Sequence, residues 1–335
     1  LKTGFQEIDG HKNFTVLPTY QGLDILYKNN PLSGLGEGSL EVAQNSEGSA
    51  ILLGNINTLS GDYSIILAGT GNYLTGDNSA VGVGFNNSLV GSGSFIAAGS
   101  GNSLSGNNSF IGAGLENSLS GDESHLGAGS GNNLIGELSS ISAGSGNSIN
   151  SDKSFIGAGD GNTINSALGG ILAGRSNTIT GEGSVIVGGF LNSIYGETSA
   201  IVGGDNNEIK NSNYSVIVGG REDVVENTNY SSALGGYRNT ISGEGSSVLI
   251  GGKSNSIIDS DSSFVAGGTG NSINGSENSF VAAGSNNFIE ESPFSYVGSA
   301  ENSIIDNNKD VTLSGINNNG IFISEAGFGS NFTKF

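Results

Sequence analysis

One short phrase recurs so regularly along this chain that it restricts the fold more than any other feature. From Ser109 the sequence reads S-F-I-G-A-G-L-E-N-S-L-S-G-D-E, and from Ser124 the phrase begins again. Its first residue recurs every fifteen residues from 49 to 199, and then at 215, 231, 247, 263, 279 and 295, which makes seventeen copies. Self-similarity at a short fixed period indicates a solenoid, in which each repeat forms one coil that packs on the next.

Each copy has two apolar positions separated by glycine-rich segments. The third and eleventh positions are usually Ile, Leu or Val, as at Ile111 and Leu119. Gly accounts for 59 of the 335 residues, and each one inside a helix would cost about 1 kcal/mol. We therefore predict an all-β fold, a parallel β-roll or β-solenoid of about seventeen coils, with two short strands and two turns in each coil.

The repeat divides the chain into three parts. Residues 49–310 form the repeat array, whereas residues 1–48 and 311–335 depart from its pattern. The N-terminal part contains two strand-like runs, F-T-V-L-P-T-Y and L-D-I-L-Y, and we expect it to act as a cap or a connector. We expect the C-terminal part to cap the other end, because an uncovered end coil presents an open strand edge to other chains.

Glycine holds two places in the repeat, the sixth position and often the thirteenth, as at Gly114 and Gly121. We expect both to form turns with positive φ, which glycine adopts without a Cβ clash. An inserted residue in a strand would reverse every following side chain. The sixteenth residue of the longer copies is therefore expected in the second turn, at Tyr214, Tyr230 and Ser246.

Asparagine holds the ninth position in fifteen of the seventeen copies, and Asp223 replaces it once. Stacked coils would place these amides about 4.8 Å apart, where each can hydrogen-bond to the next, as in cross-β assemblies. We predict a structural amide ladder, and the alternative is a row of ligands for a bound molecule. The ladder includes Asn102, Asn117, Asn132, Asn147, Asn162 and Asn177.

The first strand of each coil has apolar or small residues on both faces, whereas the second strand is apolar on one face only. A strand with two apolar faces is buried on both, and one thin coil cannot cover the outer face. We predict a homo-oligomer, in the simplest case a trimer with cyclic symmetry; the alternatives are a helix from elsewhere or isolated exposed side chains. The predicted interface residues are Phe95, Phe110, Phe155, Val185, Val216, Val248, Phe264 and Phe280.

When it is read from its Asn, the repeat N-S-I-x-G-x-x-S-x-I-x-x-G resembles the head repeat of YadA-like trimeric autotransporter adhesins. The resemblance covers about 260 of the 335 residues. It implies a left-handed β-roll of three tightly associated protomers that binds host or matrix surfaces outside a bacterial cell. The coils here are slightly longer than those of the family, and no neck motif, heptad stalk or membrane anchor is present. Similar repeats also resemble parts of phage tail fibres.

Charge and composition restrict the partners. The chain has 11 Lys and Arg against 31 Asp and Glu, a formal net charge of -20. This argues against DNA or RNA, whose phosphates require basic residues, and fits an extracellular surface that is kept soluble by its acids. The chain has no Cys, which excludes disulfides and thiolate metal sites. It also has no apolar run of about eighteen residues, the length needed to span a membrane.

The sequence does not favour catalysis. The two histidines, His11 and His125, are far apart in the chain, and no His-centred triad can be read from it. We therefore predict a non-enzymatic extracellular fibre or adhesin head without a cofactor, whose partners are its own copies and a host, matrix or glycan surface.

Two further features leave alternatives open. Carboxylates recur in the second turn and are ligands that Ca²⁺ prefers, although a charged edge that limits aggregation would look the same. The calcium candidates are Asp62, Asp77, Asp122 and Asp152. The outward residues of the second strand form columns of Ser and Thr, such as Ser103 with Ser105 and Thr178 with Thr180. A regular hydroxyl array of this kind offers ice or glycan binding as the alternative function.

Overall fold

The computed structural model is an all-β parallel β-solenoid of about eighteen turns, with no helix among the residues it describes. These residues are 6–8, 11–13, 46–308, 310–314, 322–324 and 331–333. The predicted fold class is therefore confirmed. At the N-terminal end, β1 (Gln6–Ile8) and β2 (His11–Asn13) pair in antiparallel fashion. The two strand-like runs predicted for the N-terminal part, at 14–20 and 23–27, lie outside the described residues.

The first ladder of the solenoid contains nineteen of the described strands, and each pairs in parallel with the equivalent strand of the next coil. For example, Phe110 pairs with His125, and Ile111 pairs with Leu126. The strands are β3 (Ala50–Ile51), β5 (Ile65–Thr70), β7 (Ala80–Phe85), β9 (Phe95–Ser100), β11 (Phe110–Ile111), β13 (His125–Leu126), β15 (Ser140–Ile141), β17 (Phe155–Ile156), β19 (Gly170–Ile171), β21 (Val185–Ile186), β23 (Ala200–Ile201), β25 (Val216–Ile217), β27 (Ser232–Leu234), β29 (Val248–Ile250), β31 (Phe264–Val265), β33 (Phe280–Ser285), β35 (Tyr296–Glu301), β37 (Thr312–Ser314) and β39 (Asn331–Thr333).

The second ladder contains eighteen of the described strands in the same parallel register. Ser103 pairs with Ser118, and Leu104 pairs with Leu119. The strands are β4 (Thr58–Leu59), β6 (Tyr73–Leu74), β8 (Ser88–Leu89), β10 (Ser103–Leu104), β12 (Ser118–Leu119), β14 (Asn133–Leu134), β16 (Ser148–Ile149), β18 (Thr163–Ile164), β20 (Thr178–Ile179), β22 (Ser193–Ile194), β24 (Glu208–Lys210), β26 (Val224–Glu226), β28 (Thr240–Ser242), β30 (Ser256–Ile258), β32 (Ser272–Asn274), β34 (Phe288–Glu290), β36 (Ile304–Asp306) and β38 (Phe322–Ser324).

A third row of contacts joins the coils at their seventh position, which the sequence did not predict. It consists of single parallel bridges, such as Ser130 to Ser145 and Arg221 to Tyr237. Each coil is therefore joined to the next along three lines of backbone hydrogen bonds. Three strands of the segment predicted as a C-terminal cap, β37 to β39, continue the first two ladders and so extend the stack.

The core is a narrow column that runs along the solenoid. The third and eleventh positions point inward, and in one coil Ile111 and Leu119 are 0% and 1% exposed. The equivalent residues of the other coils form one continuous apolar cluster with them. Because the register is parallel, each apolar side chain lies against its equivalents in the coils above and below. Each coil depends on its neighbours for burial, as expected for a repeat protein.

The glycines of the sixth and thirteenth positions differ in their conformation. Gly114, at a sixth position, has a φ of 124°, as predicted. Gly121, at a thirteenth position, lies outside the positive-φ region, and a Cβ placed on it would come within 2.0 Å of the carbonyl oxygen of Gly136. The prediction of positive φ is therefore wrong at Gly121, where glycine is needed because two coils approach closely. It is right at two other thirteenth positions, Gly243 and Gly275, whose φ values are 97° and 56°.

The left-handed turn residues are those that precede a buried polar side chain. Glu116 and Glu123 have φ values of 54° and 51°, and they are followed by Asn117 and Ser124, which are 1% and 3% exposed. A non-glycine residue in this conformation costs about 1 kcal/mol. This conformation turns the chain sharply, so that the next side chain points into the coil. The hydrogen bonds of that side chain offset the cost of the conformation.

The extra residue of the longer coils lies in the second turn, but not at the positions that the sequence indicated. The carbonyl oxygen of Ser212 approaches Gly196 closely, just as the carbonyl oxygen of Gly196 approaches the glycine of the preceding coil. Ser212 is therefore the structural equivalent of Gly196. The backbone N–H of Tyr214 donates to the preceding coil in the same way as the backbone N–H of Thr198 does one coil earlier, so these two residues are also equivalent. The inserted residue is thus Asn211, which has a φ of 48°. In the longer coil a buried serine, Ser212, takes the place that Gly196 holds in the coil before it.

Candidate functional surfaces

The six asparagines predicted as a ladder form one continuous column inside the solenoid. Asn117 shows the arrangement, because its backbone N–H and its Nδ2 both donate to Oδ1 of Asn102, at 3.1 and 3.0 Å. Its Nδ2 also donates to the carbonyl oxygen of Gly129 in the following coil, at 2.9 Å. Since these amides are buried and bonded to each other, the column joins coils and does not face solvent. The same contacts occur at Asn102, Asn132, Asn147, Asn162 and Asn177.

A second polar column, built from the serines that begin each coil, was not recognised from the sequence. Ser124 donates its Oγ proton toward the carbonyl oxygens of Asp122 and Gly136, each at 2.9 Å. The backbone N–H of Ser124 donates to Oγ of Ser109 at 3.0 Å. The signal was present, because serine holds this position in sixteen of the seventeen copies. The period alone does not show that this serine is buried, and only the path of the coil does.

Asp223 is the acidic member of the amide column and is fully buried. Its Oδ1 accepts the backbone N–H of Asn239 at 2.8 Å, and its own N–H donates to Oδ1 of Asn207 at 3.0 Å. Its Oδ2 is buried without a hydrogen-bond partner, where an asparagine would place a donor. Burial raises the pKa of Asp223 to about 6, although the hydrogen bond from Asn239 opposes the shift.

The four calcium candidates are separate turn residues that cap the backbone of the preceding coil. Asp122 Oδ1 accepts the backbone N–H of Asn107 at 2.7 Å, and Asp62, Asp77 and Asp152 make the same kind of contact at 2.7 to 2.9 Å. Within residues 46–308 and 310–313, no group of three or more acidic or histidine side chains lies close enough together to hold a metal ion. Their recurrence in the sequence is explained by this capping contact.

The predicted interface residues all lie on the outer face of the first ladder. None of the eight is fully buried in the single chain, and Phe95 and Phe155 are 38% and 42% exposed. Stacked coils bring neighbouring rings together, with centroid separations of 5.7 Å between Phe95 and Phe110 and 5.0 Å between Phe264 and Phe280. The remaining members of the column, Val185, Val216 and Val248, are partly exposed.

The fourth position of the coils forms a second outward column beside the first. It includes Leu172, Val187, Val202 and Val218, whose exposed fractions are 47%, 40%, 46% and 42%. We call the outward side chains of the second and fourth positions the apolar stripe. Single exposed apolar residues are common on proteins, whereas long apolar patches are rare on soluble monomers. The stripe is interrupted at the coil that carries Ser140 and Ser142.

The outer face of the second ladder is less regular than the predicted hydroxyl array. Ser103 and Ser118 pair in register, as do Thr163 and Thr178. Other coils place bulky or charged side chains in the same two columns, so the hydroxyl groups form short patches. The interrupting residues are Tyr73, Val90, Ile135, Tyr195, Glu208, Lys210, Val224, Glu226, Ile258, Phe288, Glu290, Ile304 and Asp306.

His125 belongs to the apolar stripe. Its ring stacks on Phe110 with 5.1 Å between the centroids, and its Nδ1 lies 3.5 Å from Oγ of Ser140. Among the described residues, no helix has the length and apolar character to cross a membrane. In comparisons with known proteins, no family model matches the chain and no curated protein matches it.

Proposed function

We propose that this chain is a non-enzymatic fibre subunit or adhesin head that is displayed outside a bacterial cell. Three copies associate in parallel through their apolar stripes, and the exposed edges of the rod attach to a host, matrix or glycan surface. The resemblance of the repeat to YadA-like heads supports a left-handed roll and the trimeric state. The net charge of -20 is in keeping with an exposed extracellular surface.

The observation that carries the proposal is a compensation of size within the apolar stripe. Wherever the second position carries a ring, the fourth position of the same coil is Gly or Ala, and wherever the fourth position is Leu, Ile or Val, the second carries no ring. The coils with a ring are those with Phe95 and Ala97, Phe110 and Gly112, His125 and Gly127, Phe155 and Gly157, Phe264 and Ala266, Phe280 and Ala282, and Tyr296 and Gly298.

The geometry of one coil explains how this compensation works. A Cβ placed on Gly112 would lie 3.3 Å from Cε1 of Phe110, so the ring extends over the glycine of its own coil and covers both positions. The backbone of Gly112 also approaches the next coil closely, with the Gly127 carbonyl oxygen 2.2 Å from the same Cβ. Backbone proximity accounts for small residues at such sites, Gly82 beside Ala80 among them, but it does not require the rings that stand beside seven of them.

No coil combines a ring at the second position with Leu, Ile or Val at the fourth, which suits a partner that packs along the stripe, although the coils with Ala80 and Gly82 and with Ser140 and Ser142 are small at both. Protein interiors and well-packed interfaces are filled to crystal-like density, and a stripe that alternated between tall and low coils would leave gaps against such a partner. An identical chain has the same spacing of coils, and three-fold cyclic symmetry lets each protomer turn its stripe toward the common axis, so that the three interfaces are identical. We therefore favour a second and third copy of this chain as the occupants.

The test is the mass of the protein in solution. The wild type is expected at three times the 33.6 kDa mass of the chain in light scattering after size exclusion. Phe110→Asp places a charge in the stripe and should reduce the mass to that of the single chain, because an unpaired buried charge is very costly. Ser118→Asp, on the second ladder of the same coil, is the matched control and should leave the mass unchanged. A wild type of single-chain mass at all concentrations would refute the proposal.

A further inference from the structure

Lys and Arg are rare in this chain, and most of those that the structure describes lie at the seventh and eighth positions of the coils. Of the 335 residues only 11 are Lys or Arg, and all three arginines, Arg175, Arg221 and Arg238, occupy these two positions. Four consecutive coils, which begin at 199, 215, 231 and 247, place a group of such residues next to each other. We call this group the basic–aromatic cluster: Asp205, Arg221, Glu222, Tyr237, Arg238 and Lys253.

Tyr237 lies at the centre of the cluster. The guanidinium carbon of Arg238 is 4.8 Å from its ring centroid, that of Arg221 is 5.6 Å away, and Nζ of Lys253 is 5.8 Å away. Backbone bridges join Arg221 to Tyr237 and Tyr237 to Lys253, so the coil spacing holds these side chains in position. The ring attracts all three cations, which lets them lie close together.

The acids of the cluster compensate only part of its charge. Arg238 Nε donates to Glu222 Oε2 at 2.5 Å, and Arg221 Nε lies 3.3 Å from Glu222 and 3.6 Å from Asp205. The hydrogen bond from Arg238 lowers the pKa of Glu222, so that this acid stays ionised. Three cations and two acids leave one net positive charge, 3 − 2 = 1, in a chain whose total charge is -20.

The cations are exposed to solvent, whereas Glu222, which pairs with both arginines, is more buried than they are. The side chains of Arg221 and Arg238 are 61% and 59% exposed, whereas that of Glu222 is 23% exposed. Lys253 is exposed, and none of the ion pairs found among residues 46–308 and 310–313 involves it. The cluster therefore presents oriented guanidinium groups and one ammonium group around an aromatic ring.

Coil stacking does not require these side chains. The coils that begin at 124 and 139 carry Ser130, Gly131, Ser145 and Gly146 at the same positions, and the backbone bridge between Ser130 and Ser145 is of the same type. Exposed ion pairs add little to stability. A cluster of charged and aromatic residues at an edge where serine and glycine form the same backbone bridge points to a ligand.

We propose that the basic–aromatic cluster binds an acidic saccharide through one carboxylate group. A guanidinium group pairs with a carboxylate through two parallel hydrogen bonds, Lys253 adds a third donor group, and the exposed part of Tyr237 contacts the sugar ring. One net charge matches one carboxylate, whereas the acidic remainder of the chain repels a dense polyanion. The inference names a ligand for the attachment function proposed above and depends on that proposal for its role.

Calorimetric titration of the purified full chain with an acidic trisaccharide, in which one sugar is galacturonate and the other two are galactose, tests this inference. The wild type should bind it, and the neutral galactose trisaccharide of the same length should not bind measurably. The double variant Arg238→Gln, Lys253→Gln should weaken binding of the acidic trisaccharide at least tenfold. Lys210→Gln, which removes one charge from the exposed side of the second ladder, is the control and should bind as the wild type does. Circular dichroism of each variant establishes that it is folded.

Four results would overturn the inference. The first three are no binding of the acidic trisaccharide, equal binding of the acidic and neutral sugars, and unchanged binding by the double variant. A glutamate tripeptide that binds more tightly than the sugar would also overturn it, in favour of a peptide ligand. The solution mass of the same samples separates this test from the previous one, because a trimer that fails to bind the sugar refutes only the saccharide site.

Discussion

Asp223 differs by one side-chain atom from the asparagines of the same buried column, because it has Oδ2 where they have Nδ2. Asn117 donates from Nδ2 to the coil before and the coil after, whereas the carboxylate of Asp223 has no proton to donate and its Oδ2 is left without a partner. Protonation would supply that proton. A buried polar atom without a partner costs about 1 to 3 kcal/mol, so this site weakens the column at neutral pH.

Asp223→Asn should therefore stabilise the protein, and the gain should depend on pH. The pKa of Asp223 is raised in the folded state to about 6 from 3.8, so the folded chain binds the proton more tightly than the unfolded chain does. The stability from this group is fully present below pH 3.8 and is lost as the pH rises through about 6. The shift corresponds to about 3 kcal/mol at pH 7.

Urea unfolding of the wild type and of Asp223→Asn at pH values from 4 to 8 measures this effect. The difference between their free energies of unfolding should grow between pH 4 and pH 6 and then level off. Asp122→Asn makes the same chemical change at an exposed turn and serves as the control. A difference that is constant across this range would show that Asp223 is not the source of the pH dependence.

At the scale of the single coil, stability depends on how closely the backbones of adjacent coils approach. Gly121 lies where its coil almost touches the next, since a Cβ would come within 2.0 Å of a carbonyl oxygen. Gly131 is needed for a different reason, because its φ is 61° and a Cβ would meet nothing within 4 Å. The two glycines serve different functions in the same turn-rich fold.

Alanine at these two glycines should separate the two functions. Gly121→Ala forces two coils apart and is expected to cost about 3 kcal/mol, because the opposing atom belongs to the backbone and cannot rotate away. Gly131→Ala places alanine at positive φ in open space and is expected to cost about 1 kcal/mol. Thermal unfolding followed by circular dichroism ranks the variants. Equal losses would mean that the coils can move apart at Gly121 without strain.

At the scale of the whole molecule, the repeat produces an elongated stack of coils with a distinct surface on each side. About eighteen turns at about 4.8 Å each give a length of about 85 Å, and the parallel register carries each surface along the entire rod. The apolar stripe and the turn edges are therefore extended surfaces, whereas the hydroxyl groups of the second ladder form short patches. Weak contacts along such surfaces add up when several copies act together.

The size compensation of the apolar stripe leads to a prediction about assembly. Val216→Phe adds a ring to a coil whose fourth position is Val218, so that both outward positions of the coil become bulky. We expect the affinity of the protomers for each other to fall at least tenfold. Adding Val218→Ala reproduces the pairing of Phe264 with Ala266 and should restore most of the affinity. Sedimentation analysis on dilution measures both variants, as a double-mutant cycle. If the second substitution restored nothing, the stripe would not be packed against a partner of matching height.

The period of the sequence was enough to predict the coils, the two inward apolar positions and the amide column. In a parallel stack, residues one period apart lie above one another, so a column of Asn or Ile in the sequence becomes a column in space. Tertiary structure alone decided the rest, because the period does not state how sharply each turn bends or how near the coils lie. Gly121 thus proved to be a point of close approach, and the first serine of each coil proved to be buried. Arg221, Arg238 and Lys253, which are distant in the chain, meet at Tyr237 only because the stack places successive seventh and eighth positions side by side.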